Sequence, residues 1–475
     1  MGSTFLGLEI ARSGLVASQI SLDITGQNIA NVNTEDYTRQ SANLVAVNYN
    51  LGNYQVAQPI TNTIGQGVGV KGITQCRDAF LDTRVRNANS QYNTNNTQLS
   101  GLSDIEGILD ETSTDGLHAM LNEFYNSLEE LSNNVGDEEY ASIVRSSAEK
   151  VTQVFNEYAS QLSQIREEQL SSLEINVDQI NSTISKINNL NDMIKDQTLR
   201  NNVSNELLDS RNSYLDDLSK YIDISVTANA DGTVSVTSTG GIDVLDSTFS
   251  LSSSGDQQII QRTDGVGNVE DFSPTDGTAR GYLDILNGAG SYAEADENTF
   301  RGLLYYERAL DSFASAFAGT FNDLNTLDPA SPADLFTGTT AAAISISDAW
   351  YDDAGYLEVA DTGTNDNIIK MINAMNEDVD ETLYPGVSGT FEGFARTIIS
   401  DIAVDVGYYT DVTDMNKSIL ESAANQRESI MGVSVDEETI NLTKYQRAYQ
   451  AAARLMTVID ENLDKLINST GVVGR

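Results

Sequence analysis

The chain has 475 residues, 70 acidic against 27 basic side chains for a formal charge of −43, and a hydrophobic fraction of 40%. That length suits two or three domains with real cores, and the composition excludes wholesale disorder. Such acidity excludes nucleic acid and anionic membrane surfaces as partners, because both need clustered Lys and Arg, while one cysteine (Cys76) and one histidine (His118) allow no internal disulfide and few metal or triad sites.

Residues 1–22 lack a basic head, an unbroken apolar core and a small-residue cleavage site, so no secretory signal peptide is expected. No apolar run reaches the length of a membrane span, and no membrane insertion is expected. Leu8, Ala11, Leu15, Ser18, Leu22, Thr25 and Ile29 recur at steps of three and four, which predicts an amphipathic helix with a narrow seam of alternating large and small residues. After it comes an Asn-rich run, Gln27 to Gln40, in which Asn31 and Asn33 suit a helix end and turn. Gly67-Val68-Gly69-Val70-Lys71-Gly72 spells a G-x-G-x-x-G, but Ile73-Thr74-Gln75 reads as strand and no acid follows near residue 87, so a strand connection is expected rather than a nucleotide site.

Between Gly136 and Gly232 there is neither Gly nor Pro. Apolar positions from Val144 to Ile194 alternate steps of four and three, with a stutter between Gln169 and Leu173, which predicts one helix over about 139–197. At ~1.5 Å per residue it would be about 85–90 Å long, suiting a rod. A second helix is expected over 203–221. The period then falls to two around Ile222, Ile224 and Val226, and again at Val234 and Val236, with Asp231-Gly232 between them as a hairpin turn. Helical spacing returns at 297–327, at 366–377 and from about 390, and loops with short strands are expected over 328–365. At the C-terminal end Leu442, Tyr445, Tyr449, Ala452, Met456, Ile459, Leu463 and Leu466 again run at steps of three and four. Alone this helix reads equally as coiled coil or core-facing helix; two such seams at opposite ends favour a pair with the middle looped out between them.

The charge follows the same division. Residues 1–40 hold four acids and two bases and residues 429–475 six acids and five bases, so nearly all the excess lies in the middle. Near-neutral ends suit packing against like copies, and an acidic middle suits exposure. The expected fold is mainly α with a β insertion. A terminal helical assembly domain is drawn from 1–65 with 430–475, a helical rod domain with short strands from 66–221 with 281–429, and a β-rich inserted domain over 222–280.

The stretch Asn28-Ile29-Ala30-Asn31-Val32-Asn33-Thr34-Glu35-Asp36-Tyr37 resembles the N-terminal signature of bacterial flagellar axial proteins, the rod, hook and hook-associated subunits, with Asp36 where that signature has Gly. Gly67–Val70 with Arg77-Asp78-Ala79-Phe80-Leu81, then Leu207 to Arg211, and Asn441 to Ala451 resemble the hook-associated protein 1 family of hook–filament junction subunits. The resemblance implies a non-enzymatic structural subunit, exported through the flagellar type III channel without a cleaved signal peptide and located outside the cell on the flagellum. Implied partners are like copies in a helical ring, the hook protein, a second junction protein and a cytoplasmic export chaperone on the C-terminal helix. It implies terminal helices that are disordered in the free subunit and fold on assembly; the assembly residues are then the two seams named above with Asn31, Asn33 and Tyr37. Two readings stay open, another flagellar axial subunit and a secreted carboxylate-dependent hydrolase, since a glycosidase needs only two facing acids. No catalytic, cofactor-binding or metal residues are expected: Thr227 and Ser238 stand where an EF-hand needs acids, and Asp348, Asp352 and Asp353 read as a solvated loop.

Overall fold

The computed structural model describes residues 4–34, 36–47, 65, 67–109, 116–200, 204–294, 298–326, 333–360 and 364–469. Helix α1 spans Thr4–Ala30 and leads through the Asn-rich turn into an antiparallel pair of strands, β1 (Gln40–Ala46) and β2 (Val68–Gln75). This pair joins residues on both sides of the boundary drawn at 65/66. Four helices follow: α2 (Ala79–Leu109), α3 (Leu117–Asn133), α4 (Glu138–Leu199) and α5 (Asn205–Tyr221). Helix α4 is the 62-residue rod announced by the Gly- and Pro-free sequence, and the Asp137 carboxylate caps its start by accepting from the Glu139 amide.

The expected hairpin is β3 (Ser225–Ala228) and β4 (Val234–Ser238), paired antiparallel, with Gly232 at φ 86° in its turn. β5 (Ile242–Asp243) completes that sheet, and β6 (Ser247–Ser254), β7 (Gln257–Asp264) and β8 (Val269–Phe272) form a second antiparallel one. Helix α6 (Thr278–Asn287) begins before the 280/281 boundary and packs on α2 and α4. The chain ends with α7 (Leu303–Asn325), the two-residue strands β9 (Phe336–Thr337) and β10 (Ser345–Ile346), and α8 (Asp348–Asp352), then α9 (Asp366–Asn376), α10 (Phe391–Met431) and α11 (Val435–Asp464). The short helix α8 had no apolar period to announce it.

Aromatic rings fill the centre of the helical part. Phe155 meets Phe313 edge to face at 5.2 Å, Phe124 meets Phe321 at 5.2 Å, and Phe336 meets the buried Trp350 at 5.5 Å. Each such contact adds about 0.5–1.5 kcal/mol beyond the area it buries. The far half of α4 carries the β insertion: Ile184, Ile187 and Ile194 are buried, and Asn181 and Asn191 each pair with one strand residue, Phe249 and Val234. Arg211 of α5 donates to Asn191 Oδ1 at 3.1 Å and the Gly232 carbonyl at 2.8 Å, and burial pushes its guanidinium down to about 10.

Candidate assembly interface

Helices α1 and α11 lie side by side and antiparallel. A Cβ on Gly7 would sit 3.2 Å from Ile459 Cδ1, a Cβ on Gly14 would sit 3.7 Å from Ala452 Cβ, and Asn28 Nδ2 donates to Glu438 Oε2 at 3.2 Å. Each advance of seven or fourteen along α1 is matched by an equal retreat along α11, so one register holds over the length of the pair. That heptad step is the signature of two helices kept seam to seam. The same register sets Ser21 opposite Tyr445.

The seam residues named from sequence take these places. Ala11 and Thr25 are buried on α1, and Leu8, Leu15, Ser18, Leu22 and Ile29 are half-buried. On α11, Leu442, Tyr445, Ala452, Met456, Ile459 and Leu463 are half-buried, while Tyr449 and Leu466 are exposed. In the turn Asn31 and Tyr37 are half-buried and Asn33 is exposed. Gly7, Gly14 and Asn28, which meet α11 along this register, were not among the expected residues. Their signal is a small or amide residue every seventh position, which an apolar template does not score.

Asn28 sits at the inner end of the seam with all its amide capacity used. Its Nδ2 donates to the Gln40 carbonyl (2.9 Å) and Glu438, and its Oδ1 accepts from the Gln40 amide (3.0 Å) and the Tyr37 hydroxyl (2.9 Å). Glu438 is almost wholly buried, and its other oxygen accepts from Arg39 Nε at 3.0 Å, while the Arg39 guanidinium also pairs with Glu437. The Arg39 amide donates to the carbonyl of Met431, the last residue of α10. Ser434 caps α11 by accepting from the Glu437 amide, so only Gly432, Val433 and Ser434 separate α10 from α11. The cluster therefore fixes α1, β1 and α11 at the point where the terminal pair meets the rest of the molecule.

Asp36, where the signature it resembles has Gly, has φ 61°, the one positive φ outside glycine among the described residues, and its carboxylate accepts from Ser213 Oγ on α5. The turn and α5 enclose a cleft of about 450 Å³ lined by Asn31, Tyr37, Glu206, Asp209 and Tyr214 among others. Burial, then Asp209, pushes the Tyr37 hydroxyl up to about 12. Beneath the turn a partly buried ionic chain ties three helices. Arg427 of α10 reaches Asp216 of α5 at 2.5 Å and Asp82 of α2 at 3.6 Å, and Arg86 and Arg77 close on the same two carboxylates at 2.7 Å.

Among the described residues no group of three or more His, Cys, Asp and Glu side chains is placed to hold a metal ion, and no helix is long and apolar enough to cross a membrane. His118 is partly exposed on α3, 3.7 Å from Glu392, and Cys76 is half-buried at the end of β2.

Known proteins divide along the same lines. Residues 8–38, α1 with its turn, match the flagella basal body rod protein family, and residues 425–469, the end of α10 with α11, match the C-terminal region of the flagellar basal body rod FlgEFG proteins. Residues 102–336 match the helical domain of the flagellar hook-associated protein FlgK. Over the full length of both chains, the sequence is 31% identical to flagellar hook-associated protein 1 of Bacillus subtilis strain 168. The chain belongs to the flagellar hook-associated protein 1 family. The family's protein from Escherichia coli K12 is 23% identical over 96% of this chain and 98% of that one. The flagellar hook junction protein FlgK from Burkholderia pseudomallei aligns over 54% of this chain and 46% of its own, at 22% identity and a TM-score of 0.45. Hook-associated protein 1 is a family of flagellar structural proteins, and membership implies association with other axial proteins of the flagellum.

Proposed function

We propose that this chain is the subunit that joins the flagellar hook to the filament, and that it assembles with like copies through the α1/α11 pair. One observation supports the assembly role above the others: of the 30 residues of α11 only Glu438 is buried, while Ile440, Leu455 and Val458 stand open to solvent. A helix covered along one seam is marginal in water, so packing among copies supplies the burial that the lone subunit lacks. Folding of both ends is then coupled to assembly, and the middle, with its own aromatic core, folds without it. The hook protein lies on one side of the layer and a second junction protein on the other. Before export a cytoplasmic chaperone covers the C-terminal helix, and the chain leaves through the flagellar type III apparatus.

Immunogold labelling of intact flagella tests the location. One short band where the hook ends is expected, and label along the filament would sink the proposal. Limited proteolysis of the free chain tests the coupling: α1 and α11 are expected to be cut first and the middle spared, whereas ends as resistant as the middle would refute it. Deleting 430–475, or placing Asp at Met456, is expected to abolish incorporation while the middle stays folded, since the new charge would be buried in the seam.

A further inference from the structure

The outer faces of two helices are similar in length and apolarity and opposite in charge. Around α11, away from the line that meets α1, run Ile440, Lys444, Arg447, Arg454 and Val458, at steps of four, three, seven and four, with Leu455 beside Arg454. Ile440, Leu455 and Val458 are 68%, 45% and 52% exposed, and Ile440, Lys444 and Arg447 line a shallow groove with Thr439 and Thr443. Over 439–459 there are three bases and no acid, in a chain whose formal charge is −43. The outer face of α10 carries Val404, Tyr408, Asp411, Asp414, Met415 and Ile419, with the four apolar residues 42–61% exposed. Lys417, the base of that segment, is two residues on from Met415 and so on the far side of the helix. From Ile440 to Val458 is about 27 Å along the axis, and Val404 to Ile419 spans about 22 Å of α10.

We propose that the outer face of α11 of one copy docks on the outer face of α10 of the next, base against acid and apolar against apolar. The occupant is a second copy, because the acid-free face finds a complementary and comparably uncovered face of similar length on its own chain. Two different patches on one chain make a heterologous contact, which propagates as a ring or helix and cannot close as a simple dimer. Opposite charges at the rim select this pairing, since two α10 faces repel, as do two α11 faces. The inference rests on the assembly reading in that copies of the chain must meet, and it names the surface that α11 meets beyond α1.

The test uses flagella from cells making the full chain with Cys76→Ser, Asp414→Cys and Arg447→Cys. Mild oxidation is expected to give a ladder of covalently linked copies on a non-reducing gel, while each single-cysteine chain stays monomeric. Incorporated chain that gives no ladder overturns the inference and leaves the junction reading standing. Absence from flagella of the Cys76→Ser parent counts against the junction reading itself. A charge exchange decides the matter independently of crosslinking. Lys444→Glu with Arg447→Glu is expected to lose incorporation, and Asp411→Lys with Asp414→Lys in the same chain to restore it. Rescue instead by Glu9→Lys with Asp23→Lys, on the outer face of α1, would assign α11 to a different surface and refute the proposal.

Discussion

Asn28 and Gln40 form a closed pair, the Asn28 amide giving one hydrogen bond to the Gln40 backbone and taking one from it. The same two-way pairing recurs between Asn181 and Phe249, Asn191 and Val234, Asn287 and Gln258, and Asn322 and Phe336. In each case a helical side-chain amide acts as a short piece of strand for a residue that would otherwise leave a peptide group unpaired.

Asn28→Asp is expected to release the terminal pair. The substitution removes both donors and sets a second carboxylate against Glu438, where Asn28 Nδ2 now lies 3.2 Å from Oε2. A loss of about 3 kcal/mol is in range for a buried polar network broken at one member. In assembled flagella, amide hydrogen exchange in α1 and α11 should rise sharply, with exchange in α4 unchanged.

Gly14→Ala is expected to stabilise α1 by about 0.5–1 kcal/mol, because helix propensity improves and the new Cβ meets Ala452 at an ordinary 3.7 Å. Gly14→Leu has no such room and should part the helices. Gly7 is tighter, at 3.2 Å from Ile459, so even Ala there requires a side-chain shift. Protease cutting rates within α11 should fall for Gly14→Ala and climb for Gly14→Leu.

Asp36→Gly is expected to change stability by less than about 0.5 kcal/mol, since the ease with which glycine takes a left-handed φ offsets the lost hydrogen bond from Ser213. Asp36→Ala should cost about 1 kcal/mol or more, because Ala has neither that freedom nor a carboxylate for Ser213. The exchange rate of the neighbouring Thr38 amide, which donates to Asp209, reports both.

Two acids three positions apart on α5 are expected to titrate in opposite senses. Burial pushes the Asp209 carboxyl above its ordinary 3.8, though hydrogen bonds from Thr38 oppose the rise. The Ser204 hydroxyl, with further hydrogen bonds, holds Glu206 below its ordinary 4.5. Asp209 therefore contributes stability below its ordinary value that is lost as pH rises through the raised one. Glu206 contributes above its ordinary value, and that contribution is lost as pH falls through the lowered one. Carboxyl NMR titration of the two side chains checks both directions, and shifts of the same sign would contradict them.

Much of the architecture could be read from spacing alone. The α4 rod, the β3–β4 turn at Asp231-Gly232 and the helix over 366–376 each have a clear period, broken in α4 only by the stutter at Gln169–Leu173, and few competing signals. Helix α2 was not legible for a physical reason: many of its buried positions are polar, including Arg86, Asn89, Thr94 and Gln98, and they bond to α5 and α6 rather than pack as hydrocarbon. α1 meets α11 at Gly7, Gly14 and Asn28, where a missing or amide side chain permits the approach. What sequence could supply at Asp36 was the turn itself, since a short polar residue can replace glycine at a left-handed position.

Asn28 reaches a partner 410 positions further along the chain. Closing so large a loop costs only logarithmically more as it lengthens, and a hundred extra residues would add about 0.2 kcal/mol. The lever on the terminal pair is thus local geometry at its base, and the outer portion of the molecule is free to be enlarged, trimmed or exchanged between species at almost no thermodynamic penalty to the ends.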